Sequence, residues 1–313
     1  MNSFKRASDF NAELVIGPIQ VCGMLSAALF GCLGCQSYLY FVRFRDDHLA
    51  LKATVSAVIL IQLGHFVCII SMLWTMTVST YGDPSQLAVL PIATDVAIPL
   101  SGFTVVIVQS FYAFRLWKLS RNVFLLILCQ ILSVIAQTST CVLAARAISM
   151  TNIADFQHNQ LLLIELTFIA RATCDLITTA GIAWGLKKRR YPEIEDTVTI
   201  IDQLFKWTIE TGLVTSLVAL TLATLLPALK QPNYSGIGLW LLWPNVVGNT
   251  LLASLNRRSL LRDRFSTSDT QSCSCTSSTI VFNTGATQSQ ADPPEKEFQG
   301  PIFTSTNETI YMC

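Results

Sequence analysis

The chain has 313 residues, of which 51% are hydrophobic and 13% are charged, and its formal net charge is +1. The charged fraction is about half of the roughly 25% that soluble domains carry, and the apolar residues fall in long runs. This composition excludes a soluble enzyme, a nucleic-acid-binding protein and a disordered chain. It predicts an integral membrane protein whose first partner is the lipid bilayer.

Seven apolar stretches are long enough to cross a bilayer, which requires about 20 consecutive apolar residues in a helix. In chain order they are residues 19–42, 53–78, 91–114, 122–145, 161–186, 208–226 and 237–255. The third contains Asp95, Pro99 and Gly102, and we expect a kinked helix there, because neighbouring helices can satisfy the backbone groups that proline frees. The sequence therefore predicts an all-α membrane protein with seven transmembrane helices.

The distribution of Lys and Arg predicts the orientation, because short cytosolic loops carry an excess of these residues. Fifteen lie on the side that follows helices one, three, five and seven: Arg43, Arg45, Lys52, Arg115, Lys118, Arg121, Lys187, Lys188, Arg189, Arg190, Lys206, Arg257, Arg258, Arg262 and Arg264. Four lie on the other side: Lys5, Arg6, Arg146 and Lys230. The N-terminus is predicted outside and the C-terminus in the cytosol, with the plasma membrane favoured over internal membranes.

This orientation divides the chain into three parts. Residues 1–15 are a short extracytoplasmic segment, residues 16–260 are the seven-helix transmembrane domain, and residues 261–313 are a cytosolic tail. Ten of the fourteen residues from Ser266 to Thr279 are Ser or Thr, which predicts disorder and candidate phosphorylation sites. Just before them, Arg257 to Phe265 has the pattern of a short basic amphipathic helix on the inner leaflet.

Ionisable residues at membrane depth are costly and are functional candidates by default. Arg171 and Asp175 lie four residues apart in helix five, so they share a face and can pair. Such a pair either binds a ligand or neutralises itself and fixes helix packing, and we favour packing. Glu165 lacks a partner in its own helix and is the better candidate for contact with a ligand. With His65 and Asp95, these three residues make up the predicted intramembrane polar site.

Other residues of the spans are predicted to hold the helices together. Gln109, Gln130 and Gln137 are expected to form hydrogen bonds between helices. Small residues recur every fourth position of helix one, at Gly23, Ala27, Gly31 and Cys35. Such a stripe allows close approach of another helix, either within the bundle, which we favour, or in a homodimer.

The sequence lacks the residues that several kinds of functional site require. A zinc site needs three converging ligands, whereas His48, His65 and His158 are predicted on the cytosolic side, in mid-membrane and outside. No predicted span contains the lysine that a retinal Schiff base requires. We therefore expect no enzyme activity, no metal and no cofactor.

Seven helices, an outside N-terminus and a Ser/Thr-rich cytosolic tail are typical of a receptor. The favoured hypothesis is a receptor-like sensor of a small, fairly apolar ligand that signals to a cytosolic partner. The partner would meet these basic residues: Arg115, Lys118, Lys187, Lys188, Arg189, Arg190 and Arg257. The alternatives are a small-molecule transporter, with a water-accessible path through the residues of the polar site, and a structural membrane protein without a ligand.

Short segments in order along residues 17–260 carry a family resemblance: Gly17-Pro18, Leu29-Phe30-Gly31, Gln36, Tyr40-Phe41, Asp46-Asp47, Lys52, Tyr81-Gly82-Asp83-Pro84, Gln109-Ser110-Phe111-Tyr112-Ala113, Arg115, Leu119-Ser120, Asp175, Thr208-Ile209-Glu210-Thr211-Gly212 and Leu252-Ala253-Ser254-Leu255-Asn256-Arg257. With them the chain resembles an integral membrane family of basidiomycete fungi that is classed as a domain of unknown function. Gln62 and Trp243-Pro244-Asn245 depart from the family pattern. The resemblance implies no activity and no catalytic residue.

G-protein-coupled receptors share the predicted topology and little else. The inner end of helix three reads Phe114-Arg115-Leu116, without an acidic-Arg-aromatic triplet, and helix seven lacks an Asn-Pro-x-x-Tyr pattern. Coupling to a G protein is therefore an analogy of shape.

Overall fold

The structure is a computed structural model, and it describes residues 12–79, 91–149, 153–188, 209, 212–224 and 234–273. In this part of the chain the backbone is helical and contains no strand. The helices are α1 Ala12–Arg43, α2 Leu49–Trp74 with a π-helical turn at Thr75–Ser79, α3 Ile92–Ser120, α4 Val123–Ile148, α5 Ile153–Lys188, α6 Gly212–Thr224 and α7 Tyr234–Cys273. Each of them overlaps one of the predicted apolar stretches.

Within the described residues, four segments are long and apolar enough to cross a membrane, namely Ile16–Arg43, Leu49–Ser79, Ile92–Ser120 and Val123–Ile148. Their outer faces carry large apolar side chains such as Ile92, which is 81% exposed, and Leu60, which is 67% exposed. An apolar surface of this extent is stable in contact with lipid and costly in water. The fold is therefore compatible with an integral membrane protein.

Local sequence explains how two of these helices begin and how α3 ends. The Asn122 side chain accepts a hydrogen bond of 3.0 Å from the backbone N–H of Phe124 at the start of α4, and His48 caps α2 in the same way. Such caps satisfy N–H groups that have no partner within the helix. Arg121 closes α3 in the left-handed conformation, with φ of 57°. The connection from α3 to α4 is therefore only two residues long.

The helix α3 packs against α2, α4 and α5. Its approach to α5 depends on glycine, because a Cβ added at Gly181 would come within 2.6 Å of the Leu116 side chain. Leu116 is fully buried. A Cβ at Gly185 would meet Leu119 in the same way. Two glycines one turn apart thus set the distance between α3 and α5.

The stripe of small residues on α1 packs inside the bundle at one position only. Gly23 is buried and faces Leu73 of α2. Ala27, Gly31 and Cys35 are exposed, and a Cβ added at Gly31 meets nothing within 4 Å. Packing within the bundle, which the sequence favoured for the whole stripe, therefore accounts for Gly23 alone.

The helix α7 extends past the predicted end of the transmembrane domain at residue 260. It is helical to Cys273, and this part includes the segment from Arg257 to Phe265, whose alternation of basic and apolar residues predicts a helix. The disorder of residues 261–313 stays a prediction. The chain forms two compact units, Met1–Arg262 and Asp263–Cys313. Residues 1–11 and 274–313 lie outside the described residues.

Replacing Gly181 with Ala tests the contact between α3 and α5. We expect Gly181→Ala to lower the free energy of unfolding by about 1–3 kcal/mol, because the buried Leu116 must move. Gly31→Ala is the matched control, and it should be neutral or gain up to about 1 kcal/mol from helix propensity. Thermal unfolding of both variants in mild detergent measures the difference. Equal stability of the two would contradict this account of the packing.

Candidate functional site

Two recesses between the helices of the described chain are large enough to consider as binding sites. The first, which we name the Trp240 recess, is partly open and spans about 570 Å³ between α3, α4, α5 and α7. Its wall is mostly apolar and aromatic: Leu143, Phe156, Ile164, Phe168, Ile237 and Trp240. A recess of this kind buries an apolar molecule rather than a charged one.

The Trp240 recess contains one polar group that lacks a partner. Thr94 lines it and is 1% exposed, and its hydroxyl has no hydrogen-bond partner within the residues that the structure describes. Thr167, also in the wall, donates to the backbone carbonyl of Leu163 at 2.8 Å. A buried hydroxyl without a partner is unfavourable. A bound molecule with a hydrogen-bonding group would relieve that cost.

The wall of this recess contacts α7 next to Pro244, a proline inside the helix. The ring of Phe168 meets the ring of Trp243 edge to face, with centroids 6.4 Å apart. Trp243 is 1% exposed and precedes Pro244, which has no backbone N–H to donate within the helix. The carbonyl of Pro244 accepts a hydrogen bond of 2.5 Å from Gln62 of α2. The part of α7 around Pro244 is therefore in contact with both α5 and α2.

The second recess, which we name the Asp175 recess, is partly open and spans about 400 Å³ between α3, α5, α6 and α7. It is lined by one carboxylate, one amide, five hydroxyls and several apolar groups: Asp175, Gln109, Tyr112, Thr178, Thr179, Thr215, Thr250, Val108, Ile182, Gly212 and Val247. The two recesses share no lining residue in the described part of the chain.

The amide of Gln109 joins three helices beside the Asp175 recess. Its nitrogen donates to Asp175 Oδ1 at 3.2 Å and to the Arg171 carbonyl at 3.4 Å, both on α5. Its oxygen accepts from Ser133 of α4 at 3.0 Å. Between α3 and α4, Ser110 also donates to Gln130 at 3.1 Å. The expected interhelical hydrogen bonds are thus confirmed for Gln109 and Gln130.

Arg171 and Asp175 do not pair directly. Arg171 is 4% exposed, and its guanidinium donates to the Thr140 hydroxyl of α4 at 2.9 Å. Asp175 accepts from Gln109 and lines the same recess as Thr215 of α6. Among the described residues no ion pair joins the two side chains. The shared face predicted from their spacing is present, but each charge is bound to a different neighbouring helix.

The five predicted polar-site residues do not form one cluster, and only Asp175 lines a recess. Glu165 is half-buried on α5 and hydrogen-bonds to none of the described residues. His65 is fully buried on α2, and neither of its ring nitrogens has a partner in the part of the chain described. Asp95 is 7% exposed on α3, next to Thr94.

Asp175 and Gln109 were singled out from the sequence, but the other residues that shape the recesses were not. The aromatic and Thr residues of the walls carry no distinctive motif, because such residues are common throughout membrane helices. The resemblance segment that contains Gln109 and Tyr112 also pointed to this region. Their distance from Asp175 along the chain gave no sign that the three residues meet.

Of the predicted partner-facing residues, some are bound within the bundle. Arg115 donates to Ser254 of α7 at 3.1 Å, and Lys118 lies over the Phe114 ring, 5.1 Å from its centroid. Arg257 is half-buried. Lys187 and Lys188 are exposed at the end of α5. Arg189 and Arg190 lie outside the described residues.

Side-chain amides join α1 to α7 along their length. Asn249 donates to the Leu29 carbonyl at 2.9 Å and accepts from Gln36 at 3.3 Å. Asn256 donates to the Gln36 carbonyl at 2.8 Å. At the end of this contact, Arg258 forms an ion pair of 2.6 Å with Asp47. Leu29, Gln36, Asp47 and Asn256 all belong to the resemblance segments, so these segments hold the first and last helices together.

Replacing Gln109 tests its role in joining the helices. We expect Gln109→Leu to lower the free energy of unfolding by about 1–2 kcal/mol, because Ser133, Asp175 and the Arg171 carbonyl each lose a hydrogen bond. Gln137→Leu is the control, since the Gln137 nitrogen bonds only to Cys141 on its own helix. The measurement is thermal unfolding in detergent. The account is wrong if the control loses as much stability as Gln109→Leu.

Comparison with known proteins gives one family and no activity. The chain matches a family of unknown function (DUF6534) over residues 171–260. The match includes Arg171, Asp175, α6 and most of α7, so it takes in one side of both recesses. No curated protein matches the chain. Over this segment the chain is similar to DUF6534, as the resemblance to a domain of unknown function implies.

Proposed function

We propose that the protein is a receptor-like membrane sensor with seven spans, an outside N-terminus and a cytosolic C-terminus. The proposal includes membership of the fungal membrane family that the chain resembles over residues 17–260. It also includes a location in the plasma membrane. Basic residues close α1, α3 and α5, at Arg43, Lys118 and Lys188. The excess of Lys and Arg at these ends favours a cytosolic location for them.

The observation that carries the function is the Trp240 recess, with its aromatic wall and its single unpartnered hydroxyl. In this orientation it lies toward the outside, because Thr94, Phe156 and Gly236 come near the starts of α3, α5 and α7. The ligand is a small apolar molecule with one hydrogen-bonding group. Its apolar body replaces lipid contacts in the recess, and its polar group meets Thr94.

Signalling passes along α7. A ligand against Phe168 and Trp240 shifts the packing of Trp243 beside Pro244, where α7 lacks a backbone hydrogen bond and bends most easily. Beyond this point α7 carries Ser254, which is bound to Arg115. Movement of α7 thus changes the arrangement of the basic residues at the cytosolic end of the bundle. There, the exposed Lys187 and Lys188 of α5 contact an acidic surface of the partner.

The transporter alternative requires a connected polar path past Asp175. The two recesses share no lining residue among those described, so a sensor with separate recesses fits the geometry better than a continuous path. We propose no catalytic role and no cofactor.

The orientation is tested with epitopes at the two ends of the chain. On intact cells, antibody should reach an N-terminal epitope and not a C-terminal one, because the basic ends of the helices stay in the cytosol. Permeabilising the membrane should expose the C-terminal epitope. Access to the C-terminal epitope on intact cells would overturn the orientation and, with it, the direction of signalling.

The sensor is tested with long-chain linear alcohols, compared with alkanes of the same length, on protein in lipid nanodiscs. We expect an alcohol to raise the melting temperature more than its alkane, and Thr94→Val to remove this preference while the alkane effect stays. Alcohol binding should also change backbone hydrogen exchange in α7 beyond Pro244. Equal effects of alcohol and alkane on the wild type, or unchanged exchange in α7, would count against the sensor.

A further inference from the structure

Three of the five hydroxyls in the described lining of the Asp175 recess donate to backbone carbonyls. Thr178 donates to the Cys174 and Asp175 carbonyls at 2.9 and 3.0 Å, within α5. Thr215 donates to the Gly212 carbonyl at 3.1 Å, and Thr250 donates to the Val247 carbonyl at 2.8 Å, within α7. A hydroxyl that donates in this way keeps oxygen lone pairs for a second partner. The buried Tyr112 hydroxyl, in the same lining, has no hydrogen-bond partner among the described residues, so the recess offers acceptors and contains one polar group that a ligand could satisfy.

The other polar groups of the recess add acceptors. Both hydrogen bonds donated by the Gln109 nitrogen go to α5, one of them to Asp175. The Asp175 carboxylate accepts from Gln109, and a carboxylate has about four acceptor positions. Acceptor capacity therefore remains on the only charged side chain in the described lining of the recess.

The charge near the recess limits what it can hold. Arg171 lies one helical turn before Asp175, with its guanidinium bound to Thr140 on the α4 side and outside the lining. A divalent ion beside a single carboxylate would leave uncompensated positive charge at membrane depth, which is costly. Arg171 and Asp175 together are neutral, so a monovalent ion adds less positive charge to this region than a divalent ion would.

We propose that the Asp175 recess binds a monovalent cation, held by the carboxylate of Asp175 and by the hydroxyl oxygens of Thr178 and Thr250. Oxygen ligands of this kind suit a hard alkali ion, and the same acceptors would take the N–H groups of a small ammonium ion. The site goes beyond the proposed sensor and does not depend on it. No group in the wall of the Trp240 recess contributes to it.

The test is the melting temperature of the full chain in detergent, at constant chloride concentration, with N-methyl-D-glucamine replaced by sodium, potassium or methylammonium. At roughly ten times the half-saturating concentration, one of the small cations should raise the melting temperature by about 3–6 °C. Sodium or potassium as the active ion identifies an alkali-ion site. Methylammonium alone identifies a site for an amine.

Three variants locate the effect. Asp175→Asn keeps the shape of the side chain and should abolish the cation-dependent shift, whereas Asp95→Asn, a carboxyl outside the recess, should retain it. Thr178→Val removes one oxygen and should raise the half-saturating concentration several-fold, and this variant carries the test if Asp175→Asn does not fold. Equal melting temperatures in all four chlorides, or a shift unchanged in the recess variants, overturns the proposal.

Discussion

The amide of Gln109 is the contact on which the arrangement of the middle helices depends. In a bilayer no water competes for polar groups, so an amide that bonds to α4 on one side and α5 on the other fixes both relative to α3. The apolar faces of these helices can slide past one another without large cost, because lipid tails are as apolar as Leu side chains. Hydrogen bonds with fixed partners supply the register that apolar contact lacks.

The same logic explains why the two buried charges of α5 stay apart. Arg171 and Asp175 are placed to neutralise each other along one helix, but a direct pair would leave α5 unconnected to its neighbours. Bound separately, the guanidinium holds α4 through Thr140, and the carboxylate holds α3 through Gln109. One helix face thus joins two other helices.

Apolar length and charge patterning were enough to find every helix of the described chain, because the bilayer imposes both. Interhelical bonding was foreseeable for Gln109 and Gln130, since an amide at that depth needs a partner. The partner itself was not, because the spacing of Arg171 and Asp175 is equally consistent with a pair inside the helix and with two separate anchors. The Trp240 recess could not be predicted for a similar reason, because a wall of Phe, Ile and Trp has the same sequence pattern as any buried helix face.

The two-residue connection between α3 and α4 has a consequence for how the protein is made. Arg121 and Asn122 fix the turn with local bonds only, and α3 and α4 then pack against each other along their length. Contacts between segments adjacent in sequence form fastest, so this helical hairpin can set its own register as soon as residue 148 has left the ribosome. The helix α3, which lines part of both recesses, is then already in place when α5, α6 and α7 arrive to close them.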